Sequence, residues 1–131
     1  MKRYTDNKSG LTINYPDDWT FEKEDNIITT YNVVNGSGAL QFSTFYVTND
    51  NIDLKIELEG FLSDKKFSSV ELNGNIAYSC FNDGSIAWQY WLLKKGNVII
   101  LATYNCEIED KGKEDVQVNQ ILNSIIISSN N

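Results

Sequence analysis

The sequence predicts an α+β fold in which a largely antiparallel sheet is covered by a helix on each face. Three observations carry that expectation. Four β-rich segments, 67–72, 75–81, 86–94 and 97–105, are separated by Asn73-Gly74, Asn82-Asp83-Gly84 and Lys95-Gly96, the chemistry of short hairpin turns. Two further segments, 51–62 and 114–126, carry apolar residues at helical spacing. In segment 86–94, Trp88, Tyr90 and Leu92 alternate with Ala87, Gln89, Trp91 and Leu93, so large rings stand on both sides of one strand. Such a strand needs cover on both faces, which is the core of a three-layer arrangement.

The elements follow in chain order. Leu11-Thr12-Ile13-Asn14-Tyr15 alternates apolar and polar positions and ends at Pro16, which has no N–H to donate to a ladder. The turn Pro16-Asp17-Asp18 delivers Trp19, and residues 20–24 and 27–34 form a hairpin around Asp25-Asn26. Asn35-Gly36-Ser37-Gly38 breaks the chain before 39–47, whose aromatic and β-branched content predicts a central strand.

Segment 51–64 fits two periods, since Ile52, Leu54, Ile56 and Leu58 alternate like a strand while Leu54, Leu58, Phe61 and Leu62 share a helical face. Asp50 or Asn51 as N-cap, Asp53 in the first turn and the Lys55/Glu59 spacing favour helix. Gly60 weakens it by about 1 kcal/mol relative to alanine. After the four-strand meander, Val118, Ile121, Leu122 and Ile125 form the stripe of a closing helix, with Glu114 and Asp115 at the positive end of its dipole. Asn130-Asn131 is expected to fray.

With 131 residues, 41% of them hydrophobic, and no repeat or linker, the chain reads as a single domain over 1–131. It contains no histidine, which removes imidazole bases, histidine-ligated metals and histidine pH switches from its own inventory. Eighteen acidic residues against eleven basic ones give a net charge of −7, which repels phosphate backbones and anionic headgroups. The basic clusters are only the pairs Lys65-Lys66 and Lys94-Lys95, so no nucleic-acid partner is expected. Neither an export signal nor a run approaching the roughly 20 apolar residues of a spanning helix is present, so no membrane association and a cytoplasmic location are expected. Cys80 and Cys106 each end an apolar stretch and read as reduced, buried core thiols with no histidine to activate them.

An opening strand leading into Tyr15-Pro16-Asp17-Asp18-Trp19, a long strand, a helix, a meander containing Gly96-Asn97-Val98-Ile99-Ile100, and the terminal Ile121-Leu122-Asn123-Ser124-Ile125 together resemble the PsbP and Mog superfamily. The resemblance spans nearly the whole chain. It implies a PsbP/Mog-like α/β/α sandwich with a mostly antiparallel sheet, used in that family as a protein-binding or accessory scaffold. The chain lacks the histidine and carboxylate metal sites described in some PsbP-type domains, so no metal is expected.

Carboxylates are the plentiful reactive groups, in Asp17-Asp18, Glu22/Glu24/Asp25, Glu57/Glu59, Glu107/Glu109/Asp110 and Glu114/Asp115. Most fall at turns or helix ends, where solvation and capping explain them, and nothing in the spacing marks a glycosidase-like pair. Asn49-Asp50-Asn51-Ile52-Asp53 lacks the central glycine and position-twelve glutamate of a calcium loop, and Gly36-Ser37-Gly38 lacks the third glycine of a dinucleotide turn. No catalytic residue and no cofactor are therefore expected. The expectation is a non-enzymatic binding or accessory domain with a basic protein partner, of the kind an immunity protein makes with a toxin or effector. Candidate contacts are Asp17, Asp18, Glu22 and Glu24, with Trp88 as an aromatic anchor. Two alternatives stand beside it: a small carboxylate-dependent hydrolase or isomerase, and a structural homo-oligomer subunit.

Overall fold

A computed structural model describes residues 1–48 and 51–128 of the chain. The elements are β1 (Lys2–Thr5), β2 (Leu11–Tyr15), β3 (Trp19–Glu24), β4 (Ile27–Asn32), β5 (Gly38–Tyr46), α1 (Leu54–Phe61), β6 (Glu71–Asn73), β7 (Ile76–Asp83), β8 (Ile86–Lys95), β9 (Val98–Glu107), α2 (Asp115–Asn123) and β10 (Ile126–Ile127). Seven strands form a sheet in the order β3-β4-β5-β9-β8-β7-β6, and three form a second sheet in the order β1-β2-β10. Every described pairing is antiparallel.

The centre is β9, whose period-two alternation feeds two separate cores. Val98, Ile100, Ala102, Tyr104 and Cys106 point to one face, where they join Leu40 and Phe42 of β5, Leu11 and Ile13 of β2, and Val118, Ile121 and Leu122 of α2. Ile99 and Leu101 point to the other, where they meet Leu54 and Leu58 of α1 and Leu92 of β8. Leu58 and Leu62 are fully buried, each contributing roughly 1.5–3 kcal/mol of transfer free energy. The small sheet and α2 thus lie on one side of the seven-stranded sheet and α1 on the other.

Polar ties hold the outer layers in place. Rings of Tyr4 and Tyr15 pack on Phe21 at 4.0 and 5.9 Å between centroids, and beside them Lys23 Nζ lies 2.5 Å from Asp6 Oδ1. Burial acts to raise the Asp6 pKa, but hydrogen bonds from Lys23 and Ser9 outweigh it and hold the carboxyl below its ordinary value. Glu114, also buried, accepts from the Tyr104 hydroxyl at 2.7 Å and from the Gly38 N–H at 3.0 Å. That carboxylate ties the entrance of α2 to β9 and to the start of β5. Burial, then the Glu114 hydrogen bond, raises the Tyr104 phenol above its ordinary range.

Several expectations are corrected by tertiary contacts. The charged segment at the N-terminus forms β1, because β2 offers it an antiparallel partner from Lys2 opposite Tyr15 to Thr5 opposite Thr12. Helix α1 starts later than residue 51: Asp53 is the cap itself, its side chain accepting from the N–H groups of Lys55 and Ile56 at 3.0 and 3.2 Å. Strand β4 stops at Asn32, whose Oδ1 accepts from the N–H groups of Val34 and Asn35 and turns the chain. The closing helix ends at Asn123 rather than 126. Ser124 Oγ donates to the Ile121 carbonyl at 2.6 Å and accepts from the Asn14 N–H at 2.8 Å, after which Ile126 and Ile127 pair with Thr12 and Leu11 of β2. Cys106 is a buried free thiol as expected, whereas Cys80 is free but only half-buried, on strand β7 near the less covered side of the sheet. Asp50, the Asn49-Asp50 part of the oxygen-rich run, and Asn130-Asn131 lie outside the described residues.

Two stability predictions follow from these ties. A Cβ on Gly38 would lie 2.1 Å from the Asn105 carbonyl oxygen and 2.7 Å from the Tyr104 hydroxyl. Gly38→Ala is expected to destabilise the fold by about 1–3 kcal/mol or more, read as a lower urea midpoint at unchanged slope. Because the folded Asp6 pKa is depressed, its contribution is present above the ordinary carboxylate value and lost as pH falls through the folded one. The stability difference between the native chain and Asp6→Asn should hold constant from about pH 7 to 5 and shrink below about pH 4, measured by urea titration at each pH.

Candidate functional site

The outer layers do not cover the sheet evenly. On the α1 side, the helix packs chiefly over β6, β7 and β8; it meets β5 where the Phe61 ring lies 5.7 Å from that of Phe45, and the row through Glu22, Thr29 and Gln41 lies beyond the cluster under the helix. Register places the residues of this open face. Glu22 stands opposite Thr29, Thr29 opposite Gln41, Gln41 opposite Thr103, and Thr103 opposite Tyr90. At about 4.8 Å per strand this cross-strand row runs roughly 19 Å. Thr29, Gln41, Thr103 and Asn105 are half-buried, and Gln41 Nε2 lies 3.2 Å from Thr29 Oγ1.

The face is therefore a polar strip with an acidic end and an aromatic end. At the acidic end, Glu22 Oε1 accepts from the Tyr31 hydroxyl at 2.8 Å, and that hydrogen bond is the first cause of a raised Tyr31 pKa. Glu24 is two residues further along the same edge strand and the same face, in register with Ile27. At the aromatic end, Trp88 stacks on Phe81 with centroids 6.3 Å apart and meets Tyr90 edge-on at 6.0 Å. Trp88 stands opposite Asn105, and Asn105 opposite Ala39, one row over from Tyr90.

The expected contact residues separate accordingly. Glu22, Glu24 and Trp88 share one face of one sheet, which their sequence positions alone did not establish. Asp17 and Asp18 belong to the turn before β3: Asp17 lies 3.5 Å from the N-terminal amine and is largely exposed, while Asp18 accepts from the Asn32 side-chain amide at 3.1 Å. Thr29, Gln41, Thr103 and Asn105 went unnoticed in the sequence. Their signal was present: β5 and β9 carry Gln41, Ser43, Thr103 and Asn105 at alternate positions, on the side where α1 no longer reaches.

Other hollows lack a convergent reactive set. One of about 770 Å³ opens beside β10, lined by Tyr46, Asn97 and Ile127 among others, with Lys95 and no carboxylate. Another brings Asp64 and Asp83 to one surface, beside Lys65 and Lys66. Among the described residues, no group of three or more histidine, cysteine, aspartate or glutamate side chains is placed to hold a metal ion, and no helix is long and apolar enough to cross a membrane.

No protein-family model and no curated protein sequence matches the chain. Solved structures do share its fold. A crystal structure from Bacteroides thetaiotaomicron matches 98% of this chain with a TM-score of 0.67 at 17% identity, and the chain spans about half of that longer one, 48%. The solution structure of cyanobacterial PsbP (CyanoP) from Synechocystis sp. PCC 6803 matches 97% of this chain and 92% of its own, with a TM-score of 0.62 at 10% identity. The Saccharomyces cerevisiae Ran-binding protein Mog1p matches 96% of this chain and 94% of its own, with a TM-score of 0.62 at 9% identity. The chain thus has the α+β, PsbP/Mog-like fold that its sequence resembles, and at these identities the likeness is one of fold.

The thiols differ in reactivity by position. Burial is the leading cause that raises the Cys106 pKa, which lowers its thiolate fraction at neutral pH. Under native conditions an aromatic disulfide reagent should modify Cys80 first and Cys106 only on a timescale set by unfolding, with single-cysteine variants assigning each phase. Equal labelling rates would contradict the burial difference.

Proposed function

We propose that this chain is a non-enzymatic protein-binding domain that presents the open sheet face to a basic partner. The observation that carries the proposal is the row Glu22, Thr29, Gln41, Thr103 and Tyr90, a polar strip left open on the α1 side of the sheet. An open strip along a sheet with aromatic residues at one end suits a protein surface better than a small substrate, which needs a concave site with convergent groups. The yeast protein of the same fold is a Ran-binding protein, which supports a protein-contact use of this architecture.

Charge sets the kind of partner. With a net charge of −7, and with Glu22 and Glu24 on the strip, the domain attracts a cationic surface and speeds encounter with it. Trp88, stacked at the far end, supplies the apolar anchor. A toxin or effector neutralised in the cytoplasm by an immunity protein of this kind is the finer form of the proposal.

The test begins with a photo-crosslinking residue at position 41, which should capture a basic protein from native host extract. Association and dissociation rates are then measured across a salt series. The double variant Glu22→Lys with Glu24→Lys is expected to slow association by roughly tenfold at low salt with little change in dissociation, the difference fading at high salt. An acidic partner, or association insensitive to salt, would overturn the electrostatic reading.

A further inference from the structure

We propose that the groove between α2 and the β6–β8 end of the sheet is a second binding site, which takes an alkylguanidinium or alkylammonium group between the rings of Trp91 and Tyr78 and the carboxylates of Asp115 and Glu71. This groove lies on the opposite face of the sheet from the strip described above and at its other end, so it stands independently of that reading.

The groove exists for a geometric reason. On this face the small sheet and α2 cover the row from Lys23 through Ile28, Phe42 and Ala102, and the cover ends before Trp91, Tyr78 and Glu71, which continue the same row in register. Two adjoining hollows of about 310 and 250 Å³ result, sharing Tyr78, Trp91 and Asn119. Asp115 lines the first and Glu71 the second, so each hollow has its own carboxylate. Neither has a lysine or arginine among its described lining residues.

The chemistry of the walls selects the ligand. Trp91 and Tyr78 stand directly opposite in register with ring centroids 5.5 Å apart and tilted by 46°, which presents an aromatic wall to the groove. Aromatic faces attract cations through the ring quadrupole, Trp most strongly, and the guanidinium plane also stacks. The side-chain amides of Gln89 and Asn119 lie on the same lining and supply acceptors for the remaining N–H groups. An alkyl stem is accommodated by Leu93 and Leu122 in the groove floor.

The field in the groove is negative. The Tyr78 phenol is pushed up to about 12, by burial first and then by Cys80, with Asp115 and Glu71 both adding in the same direction. Two carboxylates from different elements thus act on one hydroxyl at the centre of the groove.

The experiment is an amide and indole NMR titration of the full chain with agmatine, with a capped pentapeptide carrying one arginine between glycines, and with uncharged pentanamide. Agmatine or the peptide should shift the Trp91 indole N–H and the Asn119 side-chain amide saturably, and pentanamide should not. Glu71→Gln and Asp115→Asn are each expected to weaken that binding by roughly threefold to tenfold while leaving the spectrum of the fold intact. Tighter binding of agmatine identifies a free small cation as the natural occupant, and equal or tighter binding of the peptide identifies an arginine of a protein partner; either result supports the site. The proposal is overturned if neither probe shifts Trp91, if the shifts spread over the acidic surface without saturating, or if the two variants bind as the native chain does.

Discussion

The structure depends on β9 being buried on both sides at once. A strand flanked by β5 and β8 has its backbone groups satisfied by neighbours, so what remains is to take two rows of side chains out of water. Ile99 and Leu101 require α1 above them, and Val98, Ile100 and Ala102 require the small sheet and α2. Each outer layer is held to that strand mainly by apolar burial.

Uneven coverage follows from the same constraint. Seven strands at about 4.8 Å spacing make a sheet roughly 29 Å wide, while one helix is about 10–12 Å across with its side chains. A single helix on one face covers little of β3, β4 and β5, touching β5 through Phe61 on Phe45, and a helix with a three-stranded sheet on the other still leaves β6 and β7 partly open. The two bare regions lie at opposite ends of the sheet on opposite faces. Polar residues at alternate positions, Gln41, Ser43, Thr103 and Asn105, replace apolar ones where the first begins. At the second, the exchange is from Phe42 and Ala102 to Trp91 and Tyr78, side chains that tolerate partial exposure because they carry a polar end.

Buried polar groups set where the layers attach, which apolar burial alone would leave loose. Glu114 reaches Tyr104 on β9 and the backbone of Gly38 on β5, so the carboxylate immediately before α2 is a tether rather than a cap. Asp6 does similar work through Lys23 and Ser9, joining the loop between β1 and β2 to the edge of the large sheet. Ser124 clips the end of α2 to Asn14 of β2. An orphaned carboxylate in either buried position would be costly, and this is the reason both sit among donors.

The sequence by itself determined the last three strands of the meander and their turns, 39–47 as a central strand, and the two-sidedness of segment 86–94, because period-two alternation and hairpin chemistry are local. The first meander strand, expected over 67–72, is Glu71–Asn73, and the pairing of β5 with β9 is tertiary. It also determined the net charge, and the absence of histidine from the chain. Only the tertiary structure decided that 2–5 and 126–127 are strands, since those segments have weak patterns of their own and pair because β2 lies between them. The same holds for Glu114, which looks like an ordinary charge at a helix start until Tyr104 and Gly38 are placed beside it. The open strip joins Glu22 to Tyr90 across 68 positions of chain, and the groove joins Glu71 to Asp115 across 44, through register and layer width rather than any local spacing. Neither distance in space is encoded in a window of sequence, because each is set by how far one helix can reach across seven strands.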